Sequence, residues 1–242
     1  MLKYDMRFEV ITLFPEMFDG VFDKSIIKRA QEKKLIEIKY HQMRQWSWNN
    51  YGSVDDKPYG GDIGMLIRVD VIDKAIKTLC PDINRDISLQ KGDFKKPRII
   101  LMSARGKRFE QADAQRLAKE KNLIIICGHY EGFDERVSDL VDEEISIGDY
   151  VLSGGEIPAM VLIDSISRLL PGVLGKDESS QIESFSDKSH HIEFPQYTRP
   201  AEYEGKKVPE VLLSGDPKKI KEWQEKSLSA TPHLPLKKGR KY

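Results

Sequence analysis

The chain has 242 residues, 39% of them hydrophobic and 32% charged. That length allows one large domain or two modest ones, and that balance excludes a disordered chain, a collagen-like fibre and a disulfide-stapled miniprotein. Lys and Arg total 39 and Asp and Glu total 39, so net charge is zero and by itself points to no polyanion partner.

Arg7 to Leu13 alternates and then runs apolar before Phe14-Pro15, which reads as a strand and a break. Phe18 to Lys33 places Val21, Phe22, Ile26, Ile27 and Ala30 at helical spacing, and Leu35 to Tyr40 reads as a second strand. Arg44 to Gly64 is aromatic, polar and glycine-rich, as expected of a long functional loop. Asp70 to Leu79 reads as a helix with Asp70 as its N-cap, and Lys91 to Pro97 as a polar loop. Arg98 to Ser103 is a buried-type strand, Arg108 to Lys121 a helix, and Leu123 to Cys127 another buried strand. Asp134 to Val141 is helical and Glu144 to Ile147 a short strand. Glu156 to Leu170 is a helix with Pro158 in its first turn and Pro171-Gly172 as its stop. Strands apolar on both faces that alternate with helices imply an α/β fold with a covered parallel sheet.

Gly172 to Phe194 is serine-rich and poor in large apolar residues, and reads as a linker. Beyond it, Pro217 to Leu228 is a short helical pattern. From Gln196 to Tyr242 there are 11 Lys or Arg against 6 Asp or Glu, a basic segment suited to nucleic acid. The expected organisation is residues 1–171 as an α/β domain, 172–195 as linker and 196–242 as a small basic helical domain.

The longest apolar runs, such as Leu123 to Cys127 and Ala159 to Ile163, have five residues, whereas a bilayer span needs about 20. The opening MLKYDMRFEV has no signal-peptide core, so a cytoplasmic location is expected. Cys80 and Cys127 are the only cysteines and form no CxxC, which argues against a zinc site.

Three glycine-bearing bends are the candidates to carry chemistry. Gly128-His129-Tyr130-Glu131-Gly132 follows a buried strand at its carboxyl end, where open α/β sheets bind ligands. Ser146 to Glu156 runs through Gly148, Gly154 and Gly155 into a helix whose free amides suit an anion or polar group. Ser103-Ala104-Arg105-Gly106 follows a third strand. None is a Walker A loop or a GxGxxG fingerprint, so the common phosphate and dinucleotide readings lose support. Three such bends on neighbouring strands would wall one pocket.

Several segments in order resemble the bacterial tRNA (guanine-N1)-methyltransferases, the TrmD family of the SPOUT methyltransferase superfamily. They are RFEVITLFPEMF, DDKPYGG, CGHYEGFDERV, SIGDYVLSGGEIPAM, SRLLPGVLGK, FPQYTRP and VPEVLLSGD, spanning residues 6 to about 229. The resemblance implies a trefoil knot in the α/β domain, a homodimer with its active site at the subunit interface, and tRNA as substrate. S-adenosylmethionine would be the methyl donor. The implied donor-binding positions are Leu101, Met102, Ser103, Gly128, Tyr130, Glu131, Gly132, Ile147, Leu152, Gly154, Gly155 and Pro158, with Glu193 from the linker. The implied target is N1 of the guanosine 3′-adjacent to the anticodon, tRNA position 37. Mg²⁺ is implied as an assisting ion, with no ligand cluster legible.

Guanine N1 carries a proton that must leave, and a carboxylate is a suitable general base. Arg168 in SRLLPG matches the family's arginine, which would stabilise charge on O6. At the base position the family usually has Asp-Ser-Phe, whereas this chain has Glu183-Ser184-Phe185, one methylene longer; Asp187 is the competing carboxylate. Ser103-Ala104-Arg105-Gly106 departs from a usual Ser-Pro-Gln-Gly, and Gly61-Asp62-Ile63-Gly64 from a glycine-proline run. The competing functional readings are a catalytically impaired protein that binds S-adenosylmethionine and RNA, and a SPOUT methyltransferase with a different RNA target.

Overall fold

The computed structural model describes residues 4–61, 63–81, 96–174, 184–185 and 192–229. The chain divides into two compact units, Met1–Asp177 and Glu178–Tyr242.

The first unit is built on a five-stranded parallel sheet. Its strands are β1 (Met6–Thr12), β2 (Ile36–Gln42), β5 (Arg98–Arg108), β6 (Asn122–Ile126) and β7 (Glu143–Ser146), in the order β2-β1-β6-β5-β7. A two-stranded antiparallel ribbon joins β3 (Asp55–Asp56) to β4 (Leu66–Ile67). The helices are α1 (Ser25–Glu32), α2 (Val69–Leu79), α3 (Gln111–Leu117) and α4 (Glu156–Ser167).

The apolar run of β6 explains the layering. Leu123, Ile125 and Cys127 face a core shared with α1, α3 and α4, while Ile124 and Ile126 face a second core shared with α2. β5 divides in the same way, with Ile100 and Met102 on one side and Ile99 and Leu101 on the other. Successive side chains of a strand point to opposite faces, so an unbroken apolar strand must be covered twice.

Several elements differ from the sequence expectation. The helix expected over Phe18 to Lys33 is a short 3-10 turn at Pro15–Phe18 followed by α1, separated at Gly20 with φ +79°. The N-cap of α2 is Arg68 rather than Asp70. Asp70 instead lies in the first turn, where its carboxylate accepts two bonds of 2.9 Å from the Arg68 guanidinium. The helix expected from Arg108 starts only at Gln111, because β5 runs on to Arg108 and Glu110 caps α3 reciprocally with Asp113. Residues Glu135–Leu140 form a 3-10 helix.

In the second unit, β8 (Glu202–Tyr203) and β9 (Lys206–Lys207) form a hairpin that turns at Glu204 and Gly205, both with positive φ. Two helices follow, α5 (Glu210–Leu213) and α6 (Pro217–Ser229). The Asp216 carboxylate accepts the Lys218 and Lys219 amides, so it caps α6, with Pro217 in the first turn. Phe194 and Tyr197 pack their rings 6.3 and 6.4 Å from Trp223.

Candidate functional site

A cavity of about 640 Å³ opens at the carboxyl ends of β5, β6 and β7. All three bends line it: Ser103 to Arg105, Gly128 to Glu135, and Glu144 to Gly148 with Tyr150 to Gly155. Every first-unit position implied for the donor is there, namely Leu101, Met102, Ser103, Gly128, Tyr130, Glu131, Gly132, Ile147, Leu152, Gly154, Gly155 and Pro158.

Ser103 to Gly106 is an outward bulge rather than the simple loop after a strand that was expected. Met102 and Lys107 both oppose Ile145 of β7, so the intervening residues are displaced from the pairing. Gly106 permits this return, since a Cβ there would lie 2.5 Å from the Ile145 nitrogen and 2.6 Å from the Glu144 carbonyl carbon. An exposed ion pair from Arg105 Nη2 to Glu135 Oε2, at 2.7 Å, joins two of the lining segments.

The two central bends lie backbone to backbone. The Gly155 amide donates to the Gly128 carbonyl at 2.8 Å. A Cβ on Gly155 would lie 2.7 Å from Cys127 Cα, and one on Gly128 would lie 2.6 Å from the Phe133 ring. The bend after β6 is also anchored to the ribbon: Glu131 donates its amide to Met65 (3.1 Å), and Ile67 donates its own to Gly132 (2.9 Å). Beneath the bends, the fully buried Glu156 accepts from Thr12 Oγ1 at 2.5 Å and lies 2.7 Å from His129 Nε2. Burial above all, and then the Glu156 charge, raises the Cys127 thiol well above its usual range, so this cysteine is a protonated core residue.

Phe133 was not legible as a lining residue, nor Thr12 as the partner of Glu156, because each takes its place only through packing. Arg168 is the C-cap residue of α4 and does not line the cavity. It lies ten residues beyond Pro158, about 15 Å along the helix axis. Glu193 belongs to the second unit, where its amide donates to Ser184 Oγ at 3.0 Å. Glu183 and Asp187 lie outside the described residues. Among the described residues no group of three His, Cys, Asp or Glu could hold a metal ion, and no helix is long and apolar enough to cross a membrane.

The fold and cavity define an α/β ligand-binding domain of the kind that takes its ligand at strand carboxyl ends. The family model for tRNA (guanine-1)-methyltransferase TrmD matches residues 6–233. A protein named tRNA (guanine-N(1)-)-methyltransferase from Geobacter sp. (strain M21) is 46% identical over 235 residues, which cover 95% of this chain and 89% of that one. Proteins of the same name from Shouchella clausii (strain KSM-K16) and Bacillus cereus (strain AH820) are 49% and 48% identical, covering 93% and 91% of this chain and 88% and 86% of theirs. The chain belongs to the TrmD family of tRNA (guanine-1)-methyltransferases.

Proposed function

We propose that this protein transfers a methyl group from S-adenosylmethionine to N1 of the guanosine 3′-adjacent to the anticodon in tRNA. The observation that carries this reading is the convergence of twelve resemblance-implied positions on one cavity, nine of them in the three bends. Its volume suits a nucleoside-sized ligand. At Gly155 the backbone of Cys127 and Gly128 approaches too closely for a side chain, and at Gly128 the Phe133 ring does, which supports main-chain groups as the cradle. Leu101, Met102, Leu152 and Pro158 supply its apolar surface.

When bound, S-adenosylmethionine supplies a methyl group on a positively charged sulfonium. Glu183 accepts the guanine N1 proton as the new N–C bond forms and the S–C bond breaks, leaving the donor as a thioether. Arg168 offsets the charge that builds on O6 and keeps its own proton throughout.

The site is completed in a homodimer. Arg168 does not line the cavity of its own chain, which supports a reading in which a second copy completes the pocket with its linker and C-terminal domain. The exposed apolar side chains Ile157 and Val161 on α4, and Met17 on the turn packed against it, support burial against another copy. The Gly155–Gly128 contact supports a knotted crossing of the two central bends. In this reading residues 1–171 form the methyltransferase domain, 172–195 the linker with Glu183 and Glu193, and 196–242 a tRNA-binding domain with lysines exposed on α6.

The test is primer extension on tRNA incubated with the purified protein and S-adenosylmethionine. Arrest is expected at the guanosine beside the anticodon. Glu183→Gln is expected to lower turnover about 100-fold or more while donor binding persists. No arrest with protein that binds the donor would favour the catalytically impaired reading, and arrest at another site would favour a different RNA target.

A further inference from the structure

The carboxylate of Glu156 takes no part in the transfer chemistry above, yet it is fully buried against the cavity wall. Burying a carboxylate is unfavourable unless it is paired and hydrogen-bonded. Here the carboxylate joins three distant segments. Thr12, at the end of β1, donates its hydroxyl to Oε1 and accepts the Phe14 amide at 3.0 Å. His129, from the bend after β6, approaches Oε2 with Nε2. Glu156 itself opens α4, where the free amides of the first turn favour negative charge. An ionised carboxylate only accepts, so with Glu156 ionised Nε2 is the donor of this pair.

The imidazole is held on a second side. Its ring meets Phe14 edge-on with centroids 4.8 Å apart, and its side chain is only 14% exposed. The pair also presses on the adjoining bend: a Cβ on Gly154 would collide with both His129 Nε2 and Glu156 Oε2. The spacing of the two central bends, bridged by Gly155 and Gly128, is therefore set from below by this side-chain pair as well as by the main chain.

We propose that Glu156 and His129 are positioning residues for the methyl-donor site, with Glu156 orienting the imidazole and the imidazole holding the two bends at their binding separation. The proposal rests on the S-adenosylmethionine reading given above. It separates the hydrogen bond from mere filling of space: His129→Ala removes both, whereas His129→Gln keeps an N–H donor in a side chain of similar reach.

The experiment is calorimetric titration of the full-length chain with S-adenosylmethionine, beside thermal melting and steady-state methylation of tRNA. His129→Ala is expected to weaken donor binding and raise the donor KM about tenfold or more, with the tRNA KM within about twofold. His129→Gln is expected to recover most of the loss, and Glu156→Ala to reproduce it. A folded His129→Ala protein that binds the donor as the wild type does would overturn the proposal, as would a His129→Gln protein impaired equally with His129→Ala. If the alanine variants fail to fold, wild-type donor affinity in His129→Phe, which fills the space without a donor, would overturn it, and a tenfold loss there would support it. Absence of donor binding by the wild type would instead overturn the underlying functional reading.

Discussion

A methyl group added at Gly155 would lie 2.7 Å from Cys127 Cα and 2.7 Å from the Gly128 nitrogen. Both are backbone atoms at the end of the central strand β6, so neither can rotate away. Gly155 has φ −84° and ψ −4°, a conformation open to any residue, so Gly155→Ala tests space alone. Ordinary contact needs about 3.5 Å, so the start of α4 must retreat by nearly 1 Å. Overpacking of that order costs about 1–3 kcal/mol. At about 2–4 °C per kcal/mol for a unit of this size, melting falls by about 2–12 °C. The same retreat stretches the 2.8 Å bond from Gly155 to Gly128 and widens the gap between the bends. Affinity for S-adenosylmethionine is therefore expected to fall with stability, read by calorimetry and thermal melting on one preparation. A Gly155→Ala protein with unchanged melting temperature and donor affinity would refute the close approach and the cradle inferred from it.

Other consequences follow from the charge network and the thiols. Glu143 is pushed upward by burial, but bonds from Arg116 and Arg98 outweigh this and hold its carboxyl below the usual range; Asp113 is held down against burial by Lys107 and Arg116. Lowered folded-state values mean that this stabilisation is complete above the ordinary carboxylate range, near pH 4, and is lost as pH falls through the lowered values. Arg116→Met is expected to cost about 1–2 kcal/mol at pH 7 in urea unfolding and to show a shallower acid decline than wild type; equal declines would contradict the pairing. Burial raises the Cys80 thiol to about 11 and the Cys127 thiol well above its usual range, so at pH 8 neither should react with a disulfide reagent until the protein unfolds. Rapid labelling of the native chain would count against both assignments. Binding of tRNA should weaken with salt, and replacing Lys218 and Lys221 on α6 by Gln should lower the logarithmic salt slope by about 1–2, measured by filter binding. An unchanged slope would remove this face from the contact.

The run Leu123 to Cys127 was legible as a doubly covered strand, because five consecutive apolar residues have no solvent face to offer. The three glycine-bearing bends were legible for a similar reason: strand ends followed by glycine are local features. So was the family, whose motifs are contiguous words. Helix α1 was overextended because apolar spacing continues across the turn at Gly20, where the backbone leaves the helix. The bulge in β5 escaped because its cause is register against β7, not anything within Ser103 to Gly106. The strand order, which sets β5 between β6 and β7, is likewise a matter of pairing between distant segments.

What the sequence determined by itself was therefore each local preference: which segments are apolar on one face or two, where a chain must bend, and which chemical groups are available. Tertiary structure alone decided that the bends share one cavity and that Thr12 and His129 meet the carboxylate of Glu156, 144 residues from Thr12. The physical reason is range. Periodicity and turn preference act over a few residues, whereas a buried carboxylate finds its partners only after the sheet has brought separate strand ends together.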